Sequence, residues 1–376
     1  MLDRYRAPRR AVVVPERDPN GPVVLTNLLR LQSNPFLEMW WDATRAAGAR
    51  VERLGWRALR RCAVGDGRFW IHLHFPERYA TDRRLPRAVL QVLHLIAQLA
   101  LTRWMGGGVI TTIHNARSHE ARRPFLEAIV WSAVVRATTD VHLLSAAGAS
   151  EVLADHPRLR DARRHVIPHG HYRPVLGELA DRSAARAQLG LAGASRVFVL
   201  YGRLRPYKGA DELLRAFRAL RDDGARLVLA GTIPDADYAA KLRDAAAADP
   251  RVRLIPGHVG DRDLQTLIRA SDAVLLPYRR ILNSGSALLA LSAGRRVVLP
   301  HTPTFEQLGA AVGAGWVALL DGAVTTEDLE RIEPAAEPAV APDLDWCNWS
   351  VVSAGIQDLL AHGDARGLAV ERAHAS

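Results

Sequence analysis

Three groups of residues hold most of the side chains able to do chemistry. The first is GRLRPYKG, Gly202–Gly209, where Arg203, Arg205 and Lys208 crowd a turn broken by Pro206. Guanidinium and ammonium groups at that density hold phosphate by charge-assisted hydrogen bonds. The second is NSGS, Asn283–Ser286, in which Ser284 and Ser286 offer hydroxyl donors and Gly285 lets a ligand approach the backbone closely. The third gathers His74 and Glu77 from HLHFPE, and His114, Asn115, His119 and Glu120 from TIHNARSHE. Imidazoles and carboxylates can accept, hold or pass protons. Each group also has an ordinary structural use. Basic loops aid solubility, NSGS makes a turn and helix cap, and a strand-end histidine bonds a neighbouring loop.

These residues fall where strand gives way to helix. Val197–Leu200 is an apolar run that predicts a buried strand ending at Gly202. Asp211 stands where an N-cap belongs, ahead of the helical pattern Leu213, Leu214, Phe217, Leu220. A strand, a basic loop and a helix start aim unpaired N–H groups and the positive end of a dipole at an anion.

The same alternation runs through the chain and predicts parallel α/β sheets covered on both faces. In the first half the expected strands are Ala11–Val14, Val51–Gly55, Phe69–Phe75, Val109–Ile113, Asp140–Leu144 and His165–Ile167. The expected helices are Ser33–Gly48, Leu85–Met105, Phe125–Ala137 and one around Ala149–Leu153, with Pro15–Gln32 a loop. Pro168–Pro174 ends that half, and a polar helical segment, Gly177–Gly190, precedes the next. There the strands are Val197–Leu200, Arg226–Ala230, Val252–Ile255, Ala273–Leu276, Arg296–Leu299 and Trp316–Leu320, with helices Asp211–Arg221, Asp237–Ala248, Asp261–Ser271 and Ser286–Ala293. A loose acidic loop is expected from Asp321 to Leu344, then a last helix, Trp346–Leu360, and a frayed end.

A chain of 376 residues suggests two domains of roughly 170–200 residues each. The formal net charge of +10 favours an anionic partner, whether nucleic acid, a membrane surface or a phosphorylated substrate, unless it reflects only a general bias towards Arg and Ala. Basic and aromatic residues do not interleave on one element, which argues against nucleic acid. Cys62 and Cys347 form no framework, so a reducing compartment is expected and zinc is not. The N-terminal apolar run is too short for a signal peptide. The window Ala88–Thr102, interrupted by Gln91, His94 and Gln98, reads as too short and polar to span a bilayer. Trp40, Trp41 and Arg83–Arg87 form either an interfacial surface for a lipid-linked acceptor or a solvated basic face over buried tryptophans. Asp235–Asp237, Asp261–Asp263 and Asp343–Asp345 have the spacing of metal-binding acidic motifs, but three such strings among 40 acidic residues are unremarkable, and no metal is expected.

Two Rossmann-like halves with GRLRPYKG in the second resemble a GT-B glycosyltransferase, and the second half resembles the family-4-type C-terminal domain. The residues that carry this are Gly202–Gly209, Leu227–Thr232, Arg251–Tyr278 and Ser286–Pro300, with looser matches at His72–Glu77, Thr112–Glu120 and Val166–Tyr172. The resemblance implies an acceptor-binding domain, 1–172, joined by a C-terminal helix, 346–376, that crosses back to it. It also implies a donor-binding domain, 173–345, and a cleft between the two.

The implied reaction moves a sugar from a UDP- or GDP-linked donor to a saccharide or lipid-linked saccharide, without metal or cofactor, with retention. The implied donor set is Gly202, Arg203, Lys208, Thr232, His258, Val259, Tyr278, Asn283, Ser284, Gly285 and Ser286. The implied acceptor set is Asn34, His74, Glu77, Asn115 and His119. His114, Arg203 and Lys208 would act on the reacting centre, the last two by holding the leaving diphosphate. The implied location is cytoplasmic or peripheral at the inner face of a membrane. One feature departs from the family. Its usual pair of glutamates, eight positions apart, falls here on Ile281 and Leu289, and Glu306 is either a substitute or a helix-start residue. A non-catalytic GT-B-like binding partner is the alternative reading. A phosphorylase or epimerase is a third, and the phosphorylase lacks a cofactor-lysine pattern.

Overall fold

Short runs, apolar and rich in β-branched residues except at the polar edges β2 (Arg50–Arg53) and β6 (Arg163–Val166), build two six-stranded sheets in which every strand pair is parallel. The computed structural model describes residues 21–31, 34–65, 67–115, 123–333 and 340–362. It divides into two compact units. One holds the described residues from Gly21 to Gly170 and from Cys347 to His362; the other is His171–Trp346.

The first unit runs β1 (Val23–Thr26), α1 (Phe36–Ala46), β2 (Arg50–Arg53), α2 (Trp56–Val64), β3 (Phe69–His74), α3 (Leu85–Trp104), β4 (Gly108–Ile113), α4 (Pro124–Ala137), β5 (Asp140–Leu143), α5 (Ala149–Asp155) and β6 (Arg163–Val166). Its strand order is β2-β1-β3-β4-β5-β6. The second unit runs α6 (Arg182–Gln188), β7 (Val197–Tyr201), α7 (Ala210–Ala219), β8 (Arg226–Gly231), α8 (Ala236–Ala247), β9 (Val252–Pro256), α9 (Asp261–Ala270), β10 (Ala273–Leu275), α10 (Gly285–Ser292), β11 (Arg296–Pro300), α11 (Pro303–Val312), β12 (Val317–Leu320) and α12 (Thr326–Glu330). Its order is β12-β11-β10-β7-β8-β9. The last described helix, α13 (Trp349–His362), packs on α1 in the first unit.

Strand periodicity sorts the first sheet into two faces. Phe69, Ile71 and Leu73 of β3 join Val92, Leu95 and Leu99 of α3 and Val130 and Val134 of α4 in one core. Trp70 joins Phe36, Trp40 and Trp41 of α1 and Val352, Ile356 and Leu359 of α13 in the other.

Several elements differ from expectation. The strand at Ala11–Val14 lies outside the described residues, and β1 forms inside the stretch read as a loop. Val23, Val24 and Leu25 with Thr26, after Gly21 and Pro22, suffice for a buried strand inside the sheet, and turn formers on both sides hid it. Helix α2 was not foreseen, α11 was anticipated only through Glu306 as a helix-start residue, α6 is shorter than Gly177–Gly190, and α12 with its capping box interrupts the expected acidic loop. Trp40 and Trp41 are each 1% exposed, so they are core residues and form no interfacial surface. Helix α3 extends beyond the apolar window on both sides and, with 20 residues, is long and apolar enough to cross a bilayer. Its buried stripe belongs to the core between β3 and β4, so it stays on the sheet.

Candidate active site

In open parallel sheets, ligands collect beyond the carboxyl ends of the strands where the winding reverses. In the second unit that point lies between β7 and β10, which pair through Ala273 and Phe198. The loops that leave these two strands carry GRLRPYKG and NSGS.

Gly202 and Lys208 follow β7. Lys208 lies in a short 3-10 turn, Pro206–Lys208, and folds back under the strand end. Its ammonium donates to Tyr201 O at 3.1 Å and stands 5.3 Å over the Tyr278 ring. Lys208 is only 6% exposed, and burial lowers its pKa. Among the described residues no carboxylate pairs with it, so two of its three donors remain for a ligand. Arg203 beside it is exposed and makes no described hydrogen bond or ion pair. From the other side, Tyr278 bonds Ser284 at 3.2 Å, Ser284 caps α10 through Ala287 N–H at 3.1 Å, and the Tyr201 hydroxyl donates to Ser286 O at 2.6 Å. Gly202, Lys208, Tyr278, Ser284, Gly285 and Ser286 therefore converge on the start of one helix, with Asn283 adjoining.

Gly231 adopts a φ of +145°, and a Cβ there would sit 1.7 Å from Gly202 O. Only glycine lets β8 finish so close to the Lys208 loop. Thr232 follows it, and its carbonyl accepts from Leu204 N–H at 2.8 Å. His258 and Val259 lie beyond edge strand β9, in a loop tied back by Gly257 N–H to Gly231 O at 3.0 Å; no described contact carries them to Lys208.

Asp211 is not the cap of α7. Gly209 takes that place with φ +72°, and Asp211, in the first turn, pairs with Arg279 at 2.8 Å. Glu306 likewise lies in the first turn of α11, capped by Thr302, and bonds His301. Asp235 caps α8. Among the described residues no cluster of three or more His, Cys, Asp or Glu could hold a metal.

In the first unit the winding reverses between β1 and β3. Asn27 after β1 clamps the end of β3 by two bonds, Nδ2 to His74 O at 2.9 Å and His74 N–H to Oδ1 at 3.0 Å. Phe75, next in the chain, has φ +52°, a left-handed backbone rare outside glycine. Such strain persists only where the surroundings enforce it, and it concentrates at functional sites. Here it turns the Phe75 ring flat onto His114, with centroids 4.0 Å apart.

Behind His114 lies a chain of buried histidines. His74 Nδ1 meets His114 Nε2 at 2.9 Å, and the His74 ring stacks on His72. His72 Nε2 meets Thr112 Oγ1 at 2.7 Å, Thr112 Oγ1 meets His142 Nδ1 at 2.9 Å, and His142 Nε2 meets Ile167 O at 2.9 Å. The carbonyl can only accept, so His142 carries its proton on Nε2. Its Nδ1 then accepts from Thr112, and Thr112 accepts from His72 Nε2–H. Burial holds these histidines neutral, with His142 lowered to about 4, and does the same to His169, which stacks on Phe36 beside His114 and is also lowered to about 4.

His74 is fully buried, so it does not meet an acceptor as expected; its ring is bonded to His114. Asn34 Oδ1 accepts Phe36 N–H at 2.9 Å and starts α1. Asn115 Oδ1 is buried without a partner at the end of β4. His119 and Glu120 lie outside the described residues.

Two carboxyl groups in this unit are strongly perturbed, in opposite directions. Burial would raise Asp140, but bonds from His165, Arg163 and Thr139 outweigh it and hold the group at about 2, as in a satisfied structural ion pair. Glu77, in the turn after Phe75, is pushed up to about 7 by burial, with the charge of Glu127 on α4 adding to the shift. A carboxyl group that titrates near neutrality beside a strained turn is suited to proton transfer. Neither its burial nor its neighbour Glu127 was legible in sequence.

Residues 181–302 match the family model for glycosyl transferases group 1. Over 360 residues the chain is 28% identical to a GDP-mannose:glycolipid 4-beta-D-mannosyltransferase of Xanthomonas campestris, covering 91% of this chain and 89% of that protein. A shorter match, 35% identical over 151 residues, joins 39% of this chain to 29% of a Mycobacterium tuberculosis D-inositol 3-phosphate glycosyltransferase. Among solved structures, Anabaena HepE in complex with UDP-glucose superposes with a TM-score of 0.60 at 15% identity, over 93% of this chain and 100% of that one. A Thermosynechococcus elongatus sucrose-phosphate synthase gives 0.58 at 14% identity, over 94% and 99%. The structural likenesses establish the fold, two Rossmann-like units of the GT-B type. With the sequence matches, the chain is a glycosyltransferase that carries a group 1 domain over residues 181–302 and is similar along most of its length to an enzyme named for a nucleotide-sugar donor.

Proposed function

We propose that this enzyme transfers a hexose, mannose or a close relative, from a GDP-linked donor to a lipid-linked saccharide, with inversion at the anomeric carbon and without a metal. The observation that carries the donor site is the buried, carboxylate-free ammonium of Lys208 at the switch point of the second unit. An uncompensated buried charge is costly, and a diphosphate would supply the missing counter-charge. Lys208, Arg203 and the N-terminus of α10 would stabilise the charge that gathers on the leaving nucleotide, the work a metal does elsewhere. The base and sugar follow those of the mannosyltransferase of Xanthomonas campestris, which the chain matches over 89% of its length.

Inversion, in place of the retention that the family resemblance implies, rests on two observations. Ile281 and Leu289 stand where the retaining pattern has carboxylates. GDP-mannose is an α-linked donor, and the relative's product is named as β. An inverting displacement needs a base on the acceptor hydroxyl, and Glu77 has the pKa for it. The hydroxyl oxygen attacks the anomeric carbon, its proton passes to Glu77, and the bond to GDP breaks with its electron pair leaving on phosphate. His114, held by Phe75 and His74, would orient the sugar or the attacking hydroxyl.

The test is transfer from GDP-mannose and UDP-glucose to polyprenyl-diphosphate oligosaccharides, with EDTA present and the product read by proton NMR. A β-mannosyl product formed in EDTA supports the proposal. An α-linked product would restore retention, and release of UDP alone would overturn the donor.

A further inference from the structure

Helix α3 is apolar on two opposite sides, and the fold covers only one. Ala88, Val92, Leu95, Leu99 and Thr102 face the core. Val89, Leu93, Ala97, Ala100 and Trp104, spaced three or four apart, form a second stripe on the far side. Leu93 is 57% exposed and Trp104 84%, and Leu85 and Leu90 extend the stripe. Trp56 of α2 meets His94 of α3 edge-on at 6.1 Å, so the two helices present one continuous face. Exposed apolar residues in such a row are uncommon on a surface that only water touches.

The charge around the stripe selects what covers it. Neither α2 nor α3 contains an acidic residue. Arg57, Arg60 and Arg61 lie on α2, and Arg83, Arg84 and Arg87 mark the start of α3; Arg61 pairs with Glu52. An apolar stripe with aromatic ends and a rim of arginine matches an anionic bilayer, whose headgroups attract the arginines while Leu and Trp enter the acyl boundary.

We propose that the α2–α3 face seats the first unit on an anionic phospholipid membrane, with α3 lying in the plane of the interface. α3 cannot also cross the bilayer, because its other side is built into the core between β3 and β4. The proposal concerns the surface alone and stands or falls apart from the donor, the acceptor and the stereochemistry.

The experiment is flotation of the full chain with vesicles of phosphatidylcholine, alone or with roughly a third phosphatidylglycerol. The expected result is flotation with the anionic vesicles only, weakened by salt. Leu90→Glu with Leu93→Glu should abolish flotation, and Arg83→Gln and Arg87→Gln should each weaken it about fivefold. Circular dichroism and thermal unfolding should match wild type in all of them, which separates a lost surface from a lost fold. Absence of flotation by the wild type overturns the proposal, and so does undiminished flotation by the leucine variants. A wild-type dimer that the leucine variants dissociate, with no vesicle binding, would assign the face to a second copy of the chain and also overturn it.

Discussion

Lys208 and Glu77 are both held in the less comfortable protonation environment, and each predicts a separation of function from stability. An ammonium buried without a carboxylate costs the apo fold. Lys208→Met should therefore cut donor turnover by roughly 100-fold or more while leaving apo stability unchanged, or raising it by about 1 kcal/mol. Steady-state kinetics and urea unfolding without nucleotide check both halves; a large loss of stability would assign Lys208 a structural role. For Glu77 the charged form is the active one and the folded pKa lies at about 7. Activity should rise with pH through that region. Glu77→Gln should remove the rise and lower kcat by about 100-fold or more, with KM for donor little changed. Arg203, Lys208 and NSGS were legible in sequence because phosphate recognition needs charge and a helix start close together in the chain. Glu77 could be named as a strand-end carboxylate, but its raised pKa depends on burial and on Glu127, fifty positions away.

At the scale of elements, the site exists because two loops approach closely. Gly209 caps α7 with φ +72°, and a Cβ there would lie 2.2 Å from Pro277 O, in the loop after β10. Gly209→Ala must then push the Lys208 loop away from the Tyr278–Ser284 loop. The expected cost is a loss of roughly 2 kcal/mol or more of stability, with a larger loss of nucleotide affinity than that destabilisation alone gives. Calorimetry on the same sample reads both. The strands and most helices of the second unit were legible because buried parallel strands are unbroken apolar runs between turn residues. Strand order was not, since nothing local says that β7 pairs with both β8 and β10. In the first unit β1 was missed because four residues between turn formers carry too little period to stand out, and the turn at Phe75 gives no sequence signal, since its left-handed backbone falls on an aromatic residue.

For the whole molecule, the buried histidines make the first unit sensitive to acid. His72, His74, His114, His142 and His169 are lowered by burial, so the unfolded chain binds more protons than the folded one below about pH 6.5. Stability is then highest above that pH and falls as pH drops towards about 4, where His142 and His169 titrate in the fold. Thermal unfolding should show two transitions, with the one reported by Trp40, Trp41 and Trp70 fluorescence moving to lower temperature at pH 5 than at pH 7.5, and the other nearly fixed. Coincident shifts would show that the histidine network does not set the response. That network was invisible in sequence, where its members are spread from position 72 to 169.

The chain leaves the first unit at Gly170 and returns to it at Cys347. Trp349 then packs so tightly on Gly170 that a Cβ there would lie 2.4 Å from its ring, and α13 covers Phe36, Trp40 and Ile167. The second unit is thus an uninterrupted insert, whereas the first is a discontinuous body that lacks one wall until the final segment is made. The core of the first unit is therefore closed by residues that follow the whole second unit in sequence, and without α13 the face of Phe36 and Trp40 would be open. Truncation before Cys347 would thus damage the half encoded first and spare the half encoded second.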